Sequence, residues 1–153
     1  MTQLYFAYGS NLSLKQIMKR CETSKPHTNA KLLDHALVFH MFSERVDGGA
    51  AGLETCEESV VEGVVYEMSD DDLLIMDGFE GVDTGWYTRK EITVTRPDGT
   101  ELKCWTYFSN GQIGADYPPS SQYLGRILTG AKEHALSPAY IQKLEDLPLA
   151  DKV

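Results

Sequence analysis

The segment "SVVEGVVYEMSDDDLLIMDGFEG", residues 59–81, predicts a strand followed directly by a helix. Residues 59–68 are rich in valine and other residues that favour extended backbone, with Gly63 inside the run. Ser69 is then followed by three aspartates. A serine before acidic residues is typical of a helix N-terminus, because its side chain caps free N–H groups and the carboxylates complement the helix dipole. The glycine-rich sequence that begins at Asp77 predicts the end of this helix.

Further strands and helices are predicted on both sides of this segment. Two alternating sequences joined by Pro97-Asp98-Gly99 indicate a hairpin. We expect strands at residues 3–8, 30–42, 86–96 and 101–108, and helices at residues 11–21, 121–135 and 138–147. About six strands and four helices without a regular β-α-β alternation predict an α+β fold. In such a fold a mostly antiparallel sheet or small barrel carries the helices at its side.

Composition limits the classes of protein to which the chain can belong. Its 153 residues are the size of one domain, and 42% hydrophobic with 24% charged residues is typical of globular proteins. No apolar run reaches the ~18 residues that a membrane helix needs. A secretory signal has a basic residue before its apolar stretch, and no basic residue precedes the first apolar stretch here. We therefore expect one cytoplasmic domain, residues 1–153. A net charge of −9 would repel a phosphate backbone, which argues against nucleic-acid binding.

Cysteine and histidine spacing predicts neither a disulfide framework nor a metal site. The three cysteines are far apart, and the four histidines do not match the spacings of metal-ligand motifs. These residues are Cys21, Cys56, Cys104, His27, His35, His40 and His134. The sequence also lacks the G-x-S-x-G elbow that carries a nucleophilic serine. We expect no metal and no cofactor.

The sequence "YGSN", residues 8–11, lies between the first strand and the first helix. Successive N–H groups that turn from a strand into a helix can bind an anion, and Gly9 permits positive φ. The same residue types also occur in ordinary turns, where they serve geometry and capping. Spacing alone leaves both interpretations open. A nucleotide phosphate loop is not expected, because neither G-x-G-x-x-G nor GK[ST] is present.

A second candidate segment is "MDGFEGVDTGWY", residues 76–87, which holds the carboxylates Asp77, Glu80 and Asp83. Aromatic and aliphatic neighbours can raise the pKa of a carboxylate by desolvation, which suits a general base. An acidic, solvated loop after a helix explains the same residues more simply. The intervening glycines do not indicate which of the three acids points inward.

Motifs along the whole chain occur in the order that one known family shares. They are "YFAYGSNL" near the N-terminus, "GGAAGL", "EGVVYEM" and "MDGFEGVDTGWY" in the middle, and "PPSSQYLGRILTGAKEHALSPAYIQKLEDL" near the end. From residue 4 to residue 147 the chain resembles the γ-glutamylcyclotransferases. Its "YGSNL" is similar to the branch that acts on γ-glutamyl amino acids, whereas the glutathione-specific and γ-glutamylamine branches typically have GYGSL and YGTL.

The resemblance implies a fold, a reaction and a set of site residues. The fold is a small mixed, largely antiparallel β-barrel with flanking helices. In the reaction, the α-amine of a γ-glutamyl group attacks its own γ-carbonyl, which closes 5-oxoproline and releases an amino acid or amine. The resemblance implies that Glu80 is the general base and acid. We expect the substrate to be bound by Tyr5, Phe6, Ala7, Tyr8, Gly9, Ser10, Asn11 and Tyr123.

The implied chemistry agrees with what the sequence offers. One carboxylate can take a proton from the amine and return it to the departing nitrogen, so neither a metal nor a nucleotide is needed. The N–H groups of Gly9, Ser10 and Asn11 are expected to hold the substrate's α-carboxylate or its γ-carbonyl. Met76, together with Gly78 and Phe79, departs from residues common in the family without removing an implied catalytic residue.

Two alternatives remain open at the level of the sequence. The same reaction could remove a γ-glutamyl protecting group from a specialised metabolite, or the chain could be a non-catalytic protein that binds a small acid. The partner expected in the leading interpretation is a small γ-glutamyl substrate. Relatives are often dimeric, so the resemblance is also compatible with a homodimer.

Overall fold

The computed structural model describes residues 2–112 and 114–151, which form a closed barrel of five strands. The strands are β1 (Thr2–Ala7), β2 (Lys25–Ser43), β3 (Gly48–Ser69), β4 (Tyr87–Thr95) and β5 (Glu101–Ser109). Around the barrel they follow the order β1, β3, β2, β4, β5. Four neighbouring pairs are antiparallel, and the β1–β5 pair that closes the barrel is parallel. The expected mixed, largely antiparallel barrel is therefore confirmed.

Two long strands explain why the barrel has fewer strands than the sequence suggested. β2 and β3 extend well beyond the expected ranges 30–42 and 59–68, and they pair along most of their length. The small-residue segment from Gly48 continues without a break into the strand expected at residues 59–68, and the barrel has five strands where about six were expected. Register shifts, such as that between Val38 and Met41, interrupt the ladder. Such irregularities increase local twist and let long strands curve around a barrel.

Four α-helices in the described residues flank the barrel, and each begins after a capping serine. They are α1 (Leu14–Arg20), α2 (Asp70–Phe79), α3 (Ser121–Glu133) and α4 (Pro138–Glu145). The hydroxyls of Ser13, Ser69, Ser120 and Ser137 each accept a hydrogen bond from the N–H three residues later. The start predicted after Ser69 is confirmed. The helix expected at residues 11–21 begins only at Leu14, after Ser13, because residues 10–12 form a separate 3-10 turn.

One continuous apolar core joins the barrel to all four helices. Phe6 of β1, Ile17 of α1, Met76 of α2, Ile127 of α3 and Leu144 of α4 are buried in the same cluster. Burial of such side chains stabilises each by roughly 1.5–3 kcal/mol relative to exposure. The core therefore fixes the ends of the helices against the barrel, which matters for the residues described below.

No helix within residues 2–112 and 114–151 has the length and apolar character to cross a membrane. In that same part of the chain, His, Cys, Asp and Glu side chains form no group of three suited to hold a metal ion. The three cysteines are free thiols, and Cys56 alone among them is exposed.

Helix α3 packs closely against the 3-10 turn that follows β1. A Cβ atom added to Gly130 would lie 2.5 Å from the Cβ atom of Leu12 and 2.5 Å from the backbone nitrogen of Ser13. By contrast, a Cβ atom at Gly125 of the same helix would meet no atom within 4 Å. The close approach at Gly130 holds the turn in position, and backbone atoms cannot give way there as a flexible side chain would.

This packing predicts opposite effects for one substitution at two positions of α3. Gly130→Ala should lower the free energy of unfolding by about 1–3 kcal/mol, because the added methyl group overpacks the contact with Leu12. Gly125→Ala should raise the free energy of unfolding by up to ~1 kcal/mol, because alanine favours helix over glycine. Chemical denaturation measures both changes. Equal stability of the two variants would contradict the close contact between α3 and the turn.

Candidate active site

The loop at residues 8–11 leaves backbone donors open at the end of β1. Residues 10–12 form a 3-10 turn, and Leu12 N–H donates to Gly9 O over 3.0 Å. The N–H groups of Gly9, Ser10 and Asn11 find no acceptor within residues 2–112 and 114–151. Free N–H groups at the start of a helical turn are suited to a negatively charged or carbonyl oxygen.

Gly9 is required by close packing rather than by an unusual φ. Its φ is −107°, so the positive φ that glycine permits is not used here. An added Cβ atom would lie 3.2 Å from the Cβ atom of Ala51 and 3.8 Å from the hydroxyl of Tyr123. A side chain at this position would fill the space between the loop and the residues that face it, Ala51 and Tyr123. Glycine therefore keeps that space open.

Glu80 reaches the loop because α2 ends beside it. Glu80 is the C-cap residue of α2, and its N–H donates to Met76 O over 2.9 Å. Met76 is fully buried, so the last turn of the helix is anchored in the core. The carboxyl group of Glu80 thereby points towards the residues that follow β1, which the chain separates by about seventy positions.

A hydrogen-bond network fixes the contact between the loop and Glu80. Asn11 Nδ2 donates to Glu80 Oε1 over 3.2 Å and to the hydroxyl of Tyr5 over 3.0 Å. Asn11 Oδ1 accepts from Gln16 Nε2 and from Arg20, each over 3.2 Å. Because the amide oxygen of Asn11 accepts from two donors, the NH₂ group of the same amide faces the Glu80 carboxylate. The orientation of Asn11 is thus set by residues of α1.

The environment of Glu80 favours its protonated form. Burial, with a smaller contribution from the nearby charge of Asp77, raises the pKa of the Glu80 carboxyl from 4.5 to about 7, against the lowering effects of Arg20, Arg45 and the hydrogen bond from Asn11. A carboxyl group with a pKa of about 7 is present in both protonation states at neutral pH. Such a group can accept a proton and return it.

The other two carboxylates of the segment have different surroundings. Asp77 Oδ1 lies 2.9 Å from Arg89 Nε and accepts a hydrogen bond from the Tyr107 hydroxyl over 2.6 Å. Asp83 is exposed to solvent. Neither of these two side chains lines a cavity with the loop, whereas Glu80 does. Geometry therefore separates the three acids that spacing left equivalent.

A small inner cavity lies between the loop and Glu80. Its volume is about 30 Å³, and its walls include Gly9, Ser10, Asn11, Ala51 and Glu80. Five tyrosines complete the wall, namely Tyr5, Tyr8, Tyr87, Tyr107 and Tyr123. Burial raises the pKa of each of their hydroxyls, so these groups stay protonated at neutral pH. The inner cavity is lined by neutral hydroxyls, free N–H groups and one carboxyl.

Three of the five tyrosine hydroxyls are held by backbone groups. Tyr87 donates to Ala51 O and Tyr8 donates to Tyr107 O, each over 2.6 Å. Tyr123 instead accepts from Ala51 N–H over 3.0 Å, which leaves its own hydrogen for another acceptor. Its helix, α3, is the one that packs on the 3-10 turn. Tyr123 is thus placed beside Gly9 by the contact at Gly130.

A larger outer cavity adjoins the inner one. Its volume is about 540 Å³, and it shares Ser10, Glu80, Tyr87 and Tyr123 with the inner cavity. The outer walls add aromatic and basic residues, which are Phe42, Phe79, Trp86, Arg20, Arg45 and Arg126. Glu80 therefore lies where a small polar space meets a wider space open to solvent.

Most residues expected at the site lie together, and some others lie elsewhere. Tyr5, Tyr8, Gly9, Ser10, Asn11, Glu80 and Tyr123 all line the inner cavity. Phe6 and Ala7 are fully buried in the core and line neither cavity. The Phe6 carbonyl accepts from the Thr106 hydroxyl over 2.8 Å, so it serves the contact between β1 and β5.

Sequence reasoning missed several wall residues. Tyr107 alternates with other aromatic residues in β5, a pattern typical of a core strand, and it both belongs to the core and lines the inner cavity. Tyr87 stands at the end of the "MDGFEGVDTGWY" motif, which gave a signal for it. Arg45 and Arg126 have no sequence signal, because they meet at one cavity only through the folded chain.

Comparison with known proteins finds one family. A family model described as AIG2-like family matches residues 60–144, a range that includes Glu80 and Tyr123. The γ-glutamylcyclotransferase of Mus musculus is 38% identical over 94% of this chain and 78% of its own length. That of Homo sapiens is 36% identical over 93% of this chain and 77% of its own length.

A solved structure agrees with these sequence relatives. The structure of a protein named γ-glutamyl cyclotransferase superposes with a TM-score of 0.94 at 33% identity. The superposition covers 100% of this chain and 92% of that one. High coverage of both chains means that the barrel and its helices correspond together. The chain belongs to the γ-glutamylcyclotransferase family of enzymes, as the order of its sequence motifs predicted.

Proposed function

We propose that this chain converts γ-glutamyl amides into 5-oxoproline and a free amine, with Glu80 as the proton-transfer group. The observation that carries the proposal is the position of Glu80, whose carboxyl has a pKa of about 7 and shares a small cavity with the open N–H groups of the YGSN loop. Family membership supports the same general activity. The assignment of the acid, the loop and the reaction steps is our inference.

Glu80 would carry the proton between two nitrogens of the substrate. An α-amine is mostly protonated at neutral pH and cannot attack in that form. Ionised Glu80 takes a proton from the ammonium group, and the freed lone pair attacks the γ-carbonyl carbon. The carbon–nitrogen bond to the leaving amine then breaks as Glu80 returns the proton to that nitrogen, and the second proton lost by the attacking nitrogen passes to the released amine, which departs as an ammonium ion. No water is consumed, and no electron is gained or lost.

The loop would bind one end of the γ-glutamyl group and so hold the substrate in the orientation that cyclisation needs. The N–H groups of Gly9, Ser10 and Asn11 can bind the α-carboxylate, or the γ-carbonyl oxygen as charge develops on it. Backbone donors suit this role here, because a chain with a net charge of −9 does not attract an anion by its overall field. Attack within one molecule gains its rate from orientation, which such a clamp supplies.

Asn11 would link substrate binding to proton transfer. Its side chain donates to Glu80, and Asn11 lines the inner cavity with a backbone N–H that has no acceptor among the described residues. The hydrogen bond favours the ionised carboxylate and so lowers the pKa of Glu80. Asn11 thereby keeps part of Glu80 ionised at neutral pH despite its burial. We assign Asn11 a positioning role for the acid in addition to the role of its backbone.

Replacement of Glu80 tests the proposal directly. Glu80→Gln should lower kcat for a γ-glutamyl dipeptide by at least ~100-fold, because a positioned acid and base is typically worth 10² to 10⁴. Mass spectrometry of 5-oxoproline measures the rate. Asp83→Asn is the matched control, since it removes the same charge from the same segment and Asp83 is exposed. Full activity in Glu80→Gln would sink the assignment of the acid.

The pH dependence of kcat/KM provides a second test. Activity should rise with pH through about 7, because Glu80 must be ionised to accept the proton. Asn11→Ala should shift this rise to higher pH, since the hydrogen bond that lowers the pKa of Glu80 is lost. Initial rates over pH 5 to 9 measure the profile. A rise near pH 4.5 in the native protein would contradict the role of burial.

The stability of the folded protein should change with pH in the opposite direction to its activity. The pKa of Glu80 is raised from 4.5 to about 7 on folding, so stability is lost as the pH rises through this window. Glu80→Gln cannot ionise and should be more stable than the native protein above pH 7 by roughly 3 kcal/mol, because each unit of the pKa difference corresponds to about 1.4 kcal/mol. The difference should vanish below pH 4.5. Denaturation at several pH values measures it, and a constant difference would refute the linkage.

A further inference from the structure

The five tyrosine hydroxyls of the inner cavity differ in what each does with its hydrogen. A tyrosine hydroxyl has one hydrogen to donate and an oxygen that can accept. Burial raises the pKa of all five hydroxyls, so each keeps its single hydrogen at neutral pH. A hydroxyl whose hydrogen is already bound to the protein can only accept a hydrogen bond from a ligand. A hydroxyl whose hydrogen is free can also donate one.

Three of the five hydroxyls donate their hydrogen to the protein. Tyr8 donates to Tyr107 O, and Tyr87 donates to Ala51 O, each over 2.6 Å. Tyr107 donates to Asp77 Oδ1, also over 2.6 Å. These distances lie at the short end of the range for O–H···O hydrogen bonds, so the three hydrogens are held firmly. A ligand in the inner cavity therefore meets three hydroxyls that can only accept.

These three tyrosines, which we call the acceptor side, come from neighbouring strands and lie close to Glu80. Tyr87 of β4 and Tyr107 of β5 share one face of the sheet, because Tyr87 pairs with Ser109 and side chains two residues apart point the same way. Tyr8 follows β1, which is the other neighbour of β5. The charge of Glu80 adds to the effect of burial on the pKa of all three hydroxyls, so each lies within reach of its carboxyl.

Asp77 makes one of these hydroxyls a stronger acceptor. Its Oδ1 atom accepts from Tyr107 and lies 2.9 Å from Arg89 Nε, so the carboxylate is held in place from two sides. A hydroxyl that donates to an ionised group becomes more negative at its oxygen, because hydrogen bonds in a chain polarise one another. The acceptor side therefore suits a ligand group that carries hydrogens and a positive charge.

The opposite side of the same cavity offers hydrogens instead. The N–H groups of Gly9, Ser10 and Asn11 find no acceptor within residues 2–112 and 114–151. Tyr123 accepts from Ala51 N–H and keeps its own hydrogen. Its hydroxyl lies 3.8 Å from the position of a Cβ atom added to Gly9, so these donors adjoin one another. We call Tyr123 and the three N–H groups the donor side, and it suits an anion or a carbonyl oxygen.

A single cavity with an acceptor side and a donor side matches the head group of an α-amino acid. Such a head group carries an ammonium and a carboxylate group on one carbon atom. The volume of about 30 Å³ admits a small head group and leaves the rest of a ligand outside. The donor and acceptor sides are preformed by hydrogen bonds within the protein, which lowers the entropic cost of binding.

We propose that the acceptor side binds the α-ammonium group of the γ-glutamyl substrate, with the hydroxyl oxygens of Tyr87 and Tyr107 accepting hydrogen bonds from it beside Glu80. The inference rests on the proposed function, because it assigns a subsite to the amine of that reaction. An ammonium group has three N–H bonds, which Glu80 and the two hydroxyls can share. The tyrosines thus hold the amine next to the group that takes its proton, and the α-carboxylate falls on the donor side.

A matched pair of ligands tests this assignment. γ-Glutamyl-alanine and N-glutaryl-alanine differ only in the α-ammonium group, and the second has no amine that could attack, so it is used as a competitive inhibitor. Tyr87→Phe and Tyr107→Phe should each lower kcat/KM for γ-glutamyl-alanine at least ~10-fold, because hydrogen bonds to charged groups are the stronger ones. The inhibition constant of N-glutaryl-alanine should change by less than about twofold, since this ligand donates no hydrogen bond to those oxygens. Formation of 5-oxoproline measures both quantities.

Two further variants separate this role from a purely structural one. Tyr123→Phe removes a hydrogen from the donor side and should weaken both ligands by a similar factor, because both carry the carboxylate and the carbonyl group. Tyr140→Phe is the matched control, since it removes the hydroxyl of a buried tyrosine of α4 that lines neither cavity. It should leave both quantities unchanged.

Two results would overturn the inference while leaving the proposed function in place. One is a loss in Tyr87→Phe and Tyr107→Phe that is equal for γ-glutamyl-alanine and N-glutaryl-alanine, as a structural role would give. The other is an unchanged kcat/KM for γ-glutamyl-alanine in these two variants. Absence of 5-oxoproline with the native protein would overturn the proposed function and the inference together.

Discussion

The hydrogen bond from Asn11 Nδ2 to Glu80 Oε1, 3.2 Å long, joins the two halves of the candidate active site. The other features of the site depend on this contact. One half is the loop after β1, with its free N–H groups, and the other is the end of α2. Each half is anchored separately, the loop by the contact between Gly130 and Leu12 and the acid by the buried Met76. The barrel therefore fixes a distance that neither segment could fix alone.

Burial of the Glu80 carboxyl at this contact destabilises its ionised form, and this effect favours proton transfer at neutral pH. A carboxyl group enclosed by tyrosines gives up hydration, and its pKa rises to about 7 because the remaining hydrogen bond and the charges of Arg20 and Arg45 compensate only in part. The same desolvation that costs stability provides a group able to accept and return a proton. Asp77, paired with Arg89 and Tyr107, has its partners and is not available for such a role.

Much of the fold followed from local signals in the sequence. Ser69 and the aspartates after it marked the start of α2, and "YGSN" marked the end of β1, because capping and turn chemistry act over a few residues. The choice among Asp77, Glu80 and Asp83 needed the family resemblance, since each acid has the same local context and only tertiary packing separates them. Sequence spacing does not indicate that Arg45 and Arg126 line the same cavity, because this depends on how the turn after β2 meets α3.

The proposed proton transfer depends on a Glu80 carboxyl that titrates near neutrality in the folded protein. Carbon-13 NMR of the Glu80 side-chain carboxyl, assigned by comparison with Glu80→Gln, measures this titration without substrate. The account predicts a midpoint near pH 7 that coincides with the rise in kcat/KM. A midpoint near pH 4.5, as in an exposed glutamate, would contradict it.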